Sequence, residues 1–293
     1  MFSLLLVPNA DKEKAFVCAR DICGSLDFDI CRVLLPDYCG DSFSDYGEKI
    51  TFGETAEIIK DCDAVVAIGG DGTVIRAARL AAEAGKPILG INVGRLGYTA
   101  SIEPTETSFI EKLISGDYQT EKRMLLEVSV YSKDGSVISR CSCVNDAVIS
   151  RGSASRIIDI SVRIDGSGEM RYRADGMIFS TPTGSTAYSL SAGGPIIDPA
   201  VSCIELTPIC PHSLLSRPMM CSPDSYIDAY VPESGHKSEI FLTVDGNDVI
   251  SLEDSRRVHI CRSSVTADFI KIKETSFSDV VIRKMLGTEK RGV

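Results

Sequence analysis

The stretch that most constrains the fold of this chain is Gly69-Gly70-Asp71-Gly72-Thr73. The apolar residues 64–68 before it predict a buried parallel strand, and the alanine-rich residues 74–82 after it predict a helix. The turn is therefore expected to deliver the chain to a helix N-terminus, where backbone N–H groups and the helix dipole favour phosphate. Its glycines let a phosphate approach the backbone closely.

Asp71 does not fit a turn that only holds phosphate, because its carboxylate would repel the ligand. It fits a loop that holds phosphate on one side while Asp71 meets a hydroxyl or a metal on the other. That is the arrangement of a kinase that phosphorylates an alcohol. The alternative is a tight turn in which Asp71 only caps the following helix.

Composition narrows the class of protein. The net charge of −10 argues against a broad nucleic-acid surface, although it leaves room for a local basic pocket. The 11 cysteines are scattered without zinc spacing, which favours reduced thiols in a cytoplasmic protein. The apolar residues 1–8 are too short for a signal peptide and are expected to form a first strand. No stretch has the length of a membrane-spanning helix, so no membrane partner is expected.

The first third of the chain alternates between strand and helix patterns. Predicted strands cover 4–7, 30–35, 63–68 and 87–92, and predicted helices cover 12–23, 54–60 and 74–82, with Asn9 or Asp11 capping the first helix. Residues 37–53 are polar and are expected to form a long surface loop. The order predicts a parallel sheet with helices on both faces, and ligands bind such sheets at the carboxyl ends of the strands. The Gly69 turn lies there, as does Asn92-Val93-Gly94-Arg95-Leu96-Gly97-Tyr98-Thr99, which is a second candidate binding loop or an ordinary connection.

From about residue 123 the pattern changes to short strands joined by hairpin turns. The turns are predicted at 133–135, 165–168 and 245–248. We therefore expect an α/β domain over 1–104 and an antiparallel, sandwich-like β domain over 105–269, with the active site in the cleft between them. A short helix near 279–285 indicates that the tail, 270–293, packs back on the first domain.

A second unusual stretch lies inside the β domain. Residues 174–195 are dense in serine, threonine and glycine, and this density offers many hydrogen-bonding groups to a polyhydroxylated ligand. Tyr188 is available to stack on a ring. Upstream, Asn145-Asp146 interrupts an apolar run, and such a pair either faces a site or marks a strand end or bulge.

In combination and order, these motifs resemble the NAD kinase family. The glycine turn alone is shared with diacylglycerol-type lipid kinases and phosphofructokinases, whereas the run Ser180-Thr181-Pro182-Thr183-Gly184-Ser185-Thr186-Ala187-Tyr188 is close to diagnostic. The resemblance implies phosphorylation of NAD at the 2′-hydroxyl of its adenosine ribose, with ATP as donor. It also implies a divalent metal, magnesium, carried with ATP, no metal ligands of the protein's own, and a homo-oligomer, either dimer or tetramer.

The resemblance also implies roles for individual residues. Asp71 is the expected base or hydroxyl-orienting group. The donor phosphates are expected at Gly70, Gly72, Thr73 and Arg76. The NAD site is expected to include Asp71, Gly72, Tyr98, Asn145, Asp146, Arg173, Asp175, Thr183, Thr186, Ala187, Tyr188, Ser191 and Asp245.

Two alternatives stay open at this point. A lipid kinase of the diacylglycerol type would need an apolar or basic membrane-facing surface, which this acidic chain does not obviously offer. A non-catalytic nucleotide-binding regulator would bind NAD without turnover. The sequence leaves open whether polyphosphate replaces ATP and whether NADH is accepted.

Overall fold

The fold is described from a computed structural model that covers residues 1–94, 97–99, 102–152, 156–213, 215–231, 239–252 and 255–285. The chain divides into two compact units. The first comprises Met1–Arg123 together with Ala267–Val293, and the second comprises Met124–Thr266. The first unit thus extends past the expected boundary at residue 104, because it also includes a helix at Phe109–Ser115 and the first residues of a strand that begins at Gln119.

The first unit is built on a parallel sheet. Its elements are β1 (Phe2–Pro8), α1 (Glu13–Ser25), β2 (Cys31–Pro36), β3 (Ile50–Gly53), α2 (Thr55–Ile58), β4 (Ala64–Gly69), α3 (Asp71–Glu83), β5 (Ile88–Asn92) and α4 (Phe109–Ser115). The strand order is β3-β2-β1-β4-β5, with every neighbouring pair parallel. The predicted parallel sheet is therefore confirmed.

The expected surface loop over 37–53 was wrong. Residues Asp37–Lys49 form 3-10 turns and Ile50–Gly53 adds β3 to the sheet edge, in parallel with β2. Phe43 is fully buried in these turns and packs near Tyr46, with ring centroids 6.0 Å apart. Burial of this aromatic ring, which polar neighbours hide from a periodicity pattern, explains why the segment is ordered.

The second unit is β-rich, as predicted. In chain order its elements are β6 (Gln119–Ser132), β7 (Val137–Cys143), β8 (Asp146–Arg151), β9 (Ile158–Ile164), β10 (Met170–Ala174), β11 (Gly176–Ser180), α5 (Tyr188–Ser191), β12 (Ile204–Ile209), β13 (Met219–Cys221), β14 (Ile227–Tyr230), β15 (Ile240–Val244), β16 (Asp248–Ser251) and β17 (Ser255–Lys271). Two of these strands, β6 and β17, cross the boundary between units. Helix α6 (Phe277–Met285) then follows in the first unit.

Two antiparallel sheets form the core of the second unit. One has the order β13-β12-β11-β8-β15-β16. The other is the antiparallel part of an 11-stranded sheet and contains β10-β9-β14-β17 with the β6–β7 hairpin. A single apolar cluster contains Phe179 and Leu206 from the first sheet and Val162 and Ile260 from the second. The two sheets therefore face each other across a shared core, which is the sandwich-like arrangement that the hairpin spacing predicts.

The predicted Asp-Gly hairpin turns are present. Asp245 and Gly246 have φ of 49° and 70°, and Asp165 and Gly166 have φ of 52° and 68°. Glycine adopts left-handed backbone without strain and aspartate tolerates it, which explains why an Asp-Gly pair begins each of these turns. All eleven cysteines are free thiols, as expected from their scattered spacing.

Candidate functional site

The Gly69–Thr73 turn joins β4 to α3 with very little space. Gly70 is the N-cap of α3, and a Cβ on Gly69 would lie under 3.0 Å from the Thr73 side chain. The hydroxyl of Thr73 accepts a hydrogen bond from the amide of Asn9 at 2.7 Å. The packing fixes the backbone of the turn, so its N–H groups point from the start of α3 in a defined direction.

Asp71 does not cap α3. It is the first residue of the helix, and no side-chain cap is formed there. Its carboxylate instead accepts the backbone N–H of Tyr98 at 3.1 Å, the N–H of Thr99 at 3.1 Å and the Thr99 hydroxyl at 2.6 Å. These bonds hold the carboxylate in one orientation at the carboxyl edge of the sheet.

A lysine from the end of the chain also faces this carboxylate. The ammonium nitrogen of Lys284, on α6, lies 4.0 Å from Oδ2 of Asp71 and 3.5 Å from the centre of the Tyr98 ring. Burial lowers the pKa of Lys284, while the negative charge of Asp71 acts in the opposite direction. Asp71 thus has a cation beside it that the sequence motifs do not reveal.

The second candidate loop is only partly described. Residues 95 and 96 lie outside the described residues, whereas Gly97, Tyr98 and Thr99 are the ones that surround Asp71. The same loop borders a cavity of about 120 Å³ in the first unit. Six of the residues that line it are Asn92, Tyr98, Thr99, Lys271, Lys273 and Arg283.

Arg76 lies on the second turn of α3 and is exposed. Burial raises the pKa of the Tyr38 hydroxyl to about 12, and the charge of Arg76 opposes that rise. The guanidinium therefore lies near Tyr38, and its predicted contact with donor phosphate stays a prediction.

In the second unit, residues 181–191 form a hydroxyl-rich turn after β11. Many of its hydroxyl groups, and that of Ser180, form hydrogen bonds within the protein. Thr181 donates to the carbonyl of Val144 at 2.6 Å, and Ser185 donates to the carbonyl of Pro182 at 2.7 Å. Ser180, Thr181, Ser185 and Ser189 are all fully buried. These hydroxyls build the turn rather than offer themselves to a ligand.

The predicted ligand residues differ in accessibility. Thr183 is buried, Thr186 and Ala187 are half-buried, and Tyr188 and Ser191 are exposed. The Tyr188 side chain is 45% exposed at the start of α5, so its ring is free to contact a planar ligand.

The structure brings Asn145-Asp146 against this run. The carbonyl of Asn145 accepts the N–H of Thr181 at 2.8 Å and the hydroxyl of Ser180 at 3.2 Å. The carboxylate of Asp245 accepts the N–H groups of Asn145 at 2.7 Å and Val144 at 3.0 Å. Asp245 therefore fixes the backbone that presents the Asn145 side chain.

A buried group of acids lies behind this turn. Burial, followed by the negative charges of Asp245 and Glu205, raises the pKa of Asp146 from 3.8 to about 7. Burial also raises the pKa of Glu205, whose Oε1 accepts the hydroxyls of Ser189 at 2.7 Å and Thr207 at 2.9 Å. Oε2 of Glu205 has no hydrogen-bond partner among the described residues.

Asp175 and Arg173 lie elsewhere in the second unit. They precede β11, whereas the hydroxyl-rich turn follows its last residue, so about 13 Å of strand separates the two sites at 3.3 Å per residue. The Asp175 carboxylate pairs with Arg151 at 2.6 Å. The structure thus brings Asn145, Asp146, Asp245 and residues 181–186 together, and it leaves Arg173 and Asp175 apart from them.

Sequence reasoning missed Lys284 and the segment Asn9–Lys12, which contacts the glycine turn. Neither has a local signal, because a lone lysine on a short helix and a polar residue after a strand are both common. Only the predicted packing of the tail on the first domain pointed toward Lys284.

Within the described residues, no group of three or more histidine, cysteine or acidic side chains is arranged to hold a metal ion. The described helices include none with the length and apolar character needed to cross a membrane.

An α/β unit with this glycine turn, followed by a β-rich unit with a hydroxyl-rich turn, defines a phosphotransferase of the kinase type. Family models described as the ATP-NAD kinase N-terminal and C-terminal domains match residues 4–118 and 144–272. The chain is 38% identical over 281 residues to an NAD kinase of Moorella thermoacetica, covering 96% of this chain and 88% of that protein. The chain therefore belongs to the NAD kinase family.

Further comparisons agree in sequence and in fold. An NAD kinase of Thermoanaerobacter sp. is 36% identical over 283 residues, which cover 96% of this chain and 97% of that protein. The crystal structure of yeast NADH kinase complexed with NADH superimposes with a TM-score of 0.85 at 24% identity, over 100% of this chain and 89% of that one. An NAD kinase from Archaeoglobus fulgidus in complex with ATP gives a TM-score of 0.67 at 22% identity, over 96% of this chain and 99% of that one.

Proposed function

We propose that this chain transfers the γ-phosphate of ATP to the 2′-hydroxyl of the adenosine ribose of NAD and so makes NADP. The observation that carries the proposal is the carboxylate of Asp71 in the middle of the glycine turn, which Tyr98 and Thr99 hold in one orientation. A fixed carboxylate beside a phosphate-binding turn is what transfer to an alcohol needs.

The donor is the magnesium complex of ATP, and its phosphates lie against Gly70, Gly72 and Thr73. The magnesium arrives with the donor and is held chiefly by the phosphate oxygens, which are the ligands this ion prefers. The second unit supplies the acceptor site, with Asn145 and the hydroxyl-rich turn around the adenosine and Tyr188 beside a ring.

The transfer step is a direct displacement. The ribose 2′ oxygen bonds to the γ-phosphorus, the bond from that phosphorus to the β–γ bridging oxygen breaks, and ADP leaves. Asp71 orients the attacking hydroxyl and accepts its proton. Lys284 stands beside Asp71 and offsets negative charge where the phosphoryl group arrives.

Replacement of Asp71 tests this proposal. Asp71→Asn keeps an acceptor for Thr99 but cannot take up the proton, so we expect turnover to fall about 10²- to 10⁴-fold while NAD still binds. NADP formation is followed with a dehydrogenase that accepts only NADP, and NAD binding is measured by calorimetry. Asp61→Asn, at an exposed position, is the matched control and should behave as the wild type. Near-normal turnover of Asp71→Asn would refute the assigned role.

The oligomeric state of the protein is also a proposal. A homo-oligomer, dimer or tetramer, is inferred from membership of the family, and light scattering of the purified protein measures its mass directly. A monomer that is active at assay concentration would contradict that expectation.

A further inference from the structure

The carboxyl ends of three neighbouring strands meet around the glycine turn. Pro8 of β1 lies opposite Ile68 of β4, and Gly69 of β4 lies opposite Asn92 of β5. The five strands are parallel, but their order in the sheet, β3-β2-β1-β4-β5, runs against the chain order up to β1 and with it from β4 onward. The order of the strands therefore reverses between β1 and β4. In open parallel sheets, this reversal point is where ligands bind, so the segment after β1 belongs beside the turn after β4.

The segment after β1 is tied to the glycine turn. The N–H of Asn9 donates to the carbonyl of Ile68 at 2.8 Å, and its side-chain amide donates to Thr73 at 2.7 Å. The N–H of Lys12 donates to the carbonyl of Asn9 at 3.1 Å. These bonds fix where the chain enters α1, and hence where the Lys12 side chain begins.

The ammonium group of Lys12 lies over two glycines. Its nitrogen is 3.5 Å from the point where a Cβ on Gly70 would stand and 3.2 Å from the corresponding point on Gly94. The ammonium of Lys12 therefore lies within contact distance of both glycines, one at the end of β4 and one at the end of β5. A Cβ on Gly94 would crowd the ammonium, whereas a Cβ on Gly70 would touch it at ordinary van der Waals distance.

No described carboxylate forms an ion pair with Lys12, which is half-buried. The ammonium beside Asp71 is that of Lys284, at 4.0 Å from Oδ2, and the same carboxylate also bonds to Tyr98 and Thr99. An ammonium held next to the N–H groups that begin a helix provides what a phosphate chain binds to: a compact cation and backbone donors. The net charge of the chain is −10, so this local positive site stands out against its surroundings.

We propose that Lys12 binds the phosphates of the donor, with its ammonium contacting the phosphate chain that lies over Gly70 and Gly94. This rests on the proposed function, since it assigns one more contact to the same donor site. The site takes a triphosphate or a polyphosphate chain, and Lys12 takes no part in holding NAD.

The test compares three variants of the full chain: Lys12→Met, Lys12→Arg and the matched control Lys14→Met, which removes an exposed lysine two residues further along α1. Initial rates of NADP formation are measured with magnesium ATP and NAD varied separately. A lost charge-assisted hydrogen bond is worth about 1.5–3 kcal/mol, so Lys12→Met should raise the KM for magnesium ATP about 10- to 100-fold. The KM for NAD should stay unchanged, Lys12→Arg should recover much of the loss, and Lys14→Met should match the wild type.

Two results would overturn the proposal. One is an unchanged KM for magnesium ATP in Lys12→Met. The other is an equal rise in both KM values together with a lower melting temperature in Lys12→Met and Lys12→Arg, which would assign Lys12 a structural role. If Lys12→Met does not fold, Lys12→Gln replaces it.

Direct binding separates this proposal from the proposed reaction. Inorganic tripolyphosphate with magnesium is titrated into the wild type and Lys12→Met by calorimetry, without NAD. Binding by the wild type that Lys12→Met loses would support Lys12 as a phosphate contact even if no NADP forms. Equal binding by both proteins, or none by the wild type, would refute it.

Discussion

Asp71 shows how one side chain is prepared for its role by contacts that lie far away in sequence. Three hydrogen bonds from Tyr98 and Thr99 fix its carboxylate, and Lys284 approaches from the end of the chain. Such bonds remove the freedom of the side chain before substrate arrives, which lowers the cost of aligning it with a hydroxyl. The orientation of Asp71 therefore depends on residues 98, 99 and 284 as well as on the glycine turn.

Lys284 should matter for turnover more than for stability. Lys284→Met removes a partly exposed cation beside Asp71, and such pairs are worth about 1 kcal/mol or less, so we expect kcat to fall about two- to fivefold. Lys284→Arg should restore part of the rate. Lys60→Met removes an exposed lysine and serves as the control. Equal kcat for Lys284→Met and Lys60→Met would contradict this role.

The raised pKa of Asp146 leads us to expect an unusual dependence of the stability of the folded protein on pH. The carboxyl of Asp146 ionises near pH 4 when unfolded but keeps its proton up to about pH 7 when folded, so the folded state binds more protons over that interval. Stability therefore falls as the pH rises from about 4 to about 7, by at most about 4 kcal/mol from this group.

Asp146→Asn cannot ionise and should flatten that dependence. The urea midpoint of the wild type should drop more between about pH 5 and about pH 8 than that of Asp146→Asn, and the variant should be the more stable protein at the higher pH. Asp159→Asn, at an exposed position of the same unit, is the control. Parallel pH profiles for the wild type and Asp146→Asn would show that Asp146 is not the cause.

At the scale of elements, the turn after β11 and the start of β8 form one structure. A Cβ on Gly184 would overlap the backbone carbonyl of Asn145, and the Thr181 hydroxyl accepts the N–H of Gly184 while it donates to Val144. The hydroxyl-rich turn and the Asn145 segment are therefore coupled, since neither backbone has room to move without the other.

Gly184→Ala should damage this coupled pair. The added methyl group meets backbone rather than a flexible side chain, so we expect a loss of about 1–3 kcal/mol in stability and a higher KM for NAD. Gly168→Ala, in a hairpin of the same unit with open space around it, should leave both quantities nearly unchanged. Thermal melting and the KM for NAD measure the two effects, and equal behaviour of the two variants would contradict the packing argument.

The elements that sequence patterns predicted are those whose signal is local. The strand before the glycine turn and the helix after it follow from residues 64–82 alone, and the Asp-Gly hairpins follow from backbone conformations that glycine favours. The 3-10 turns over Asp37–Lys49 and strand β3 were missed, because their order depends on Phe43 packing into a core formed by distant residues. Lys12 and Lys284 were also missed, because their contacts with the glycine turn and with Asp71 join residues that are far apart in the chain.

At the scale of the whole molecule, each unit has its own apolar core. The chain starts in the first unit, builds the second, and returns to the first at Ala267. The glycine turn and Lys12 lie in the first unit, and Asn145 and the hydroxyl-rich turn lie in the second. The proposed function therefore assigns the donor to one unit and NAD to the other.

This division predicts which parts of the chain each substrate protects from hydrogen exchange. Magnesium ATP alone should slow exchange in peptides that cover residues 9–12 and 69–76, because phosphates engage the N–H groups of the turn. NAD alone should slow exchange in peptides that cover 144–146 and 181–191. Peptides over β13, Met219–Cys221, are the internal control and should not respond to either substrate. Protection of the glycine turn by NAD alone and not by magnesium ATP would reverse the assignment of substrates to units.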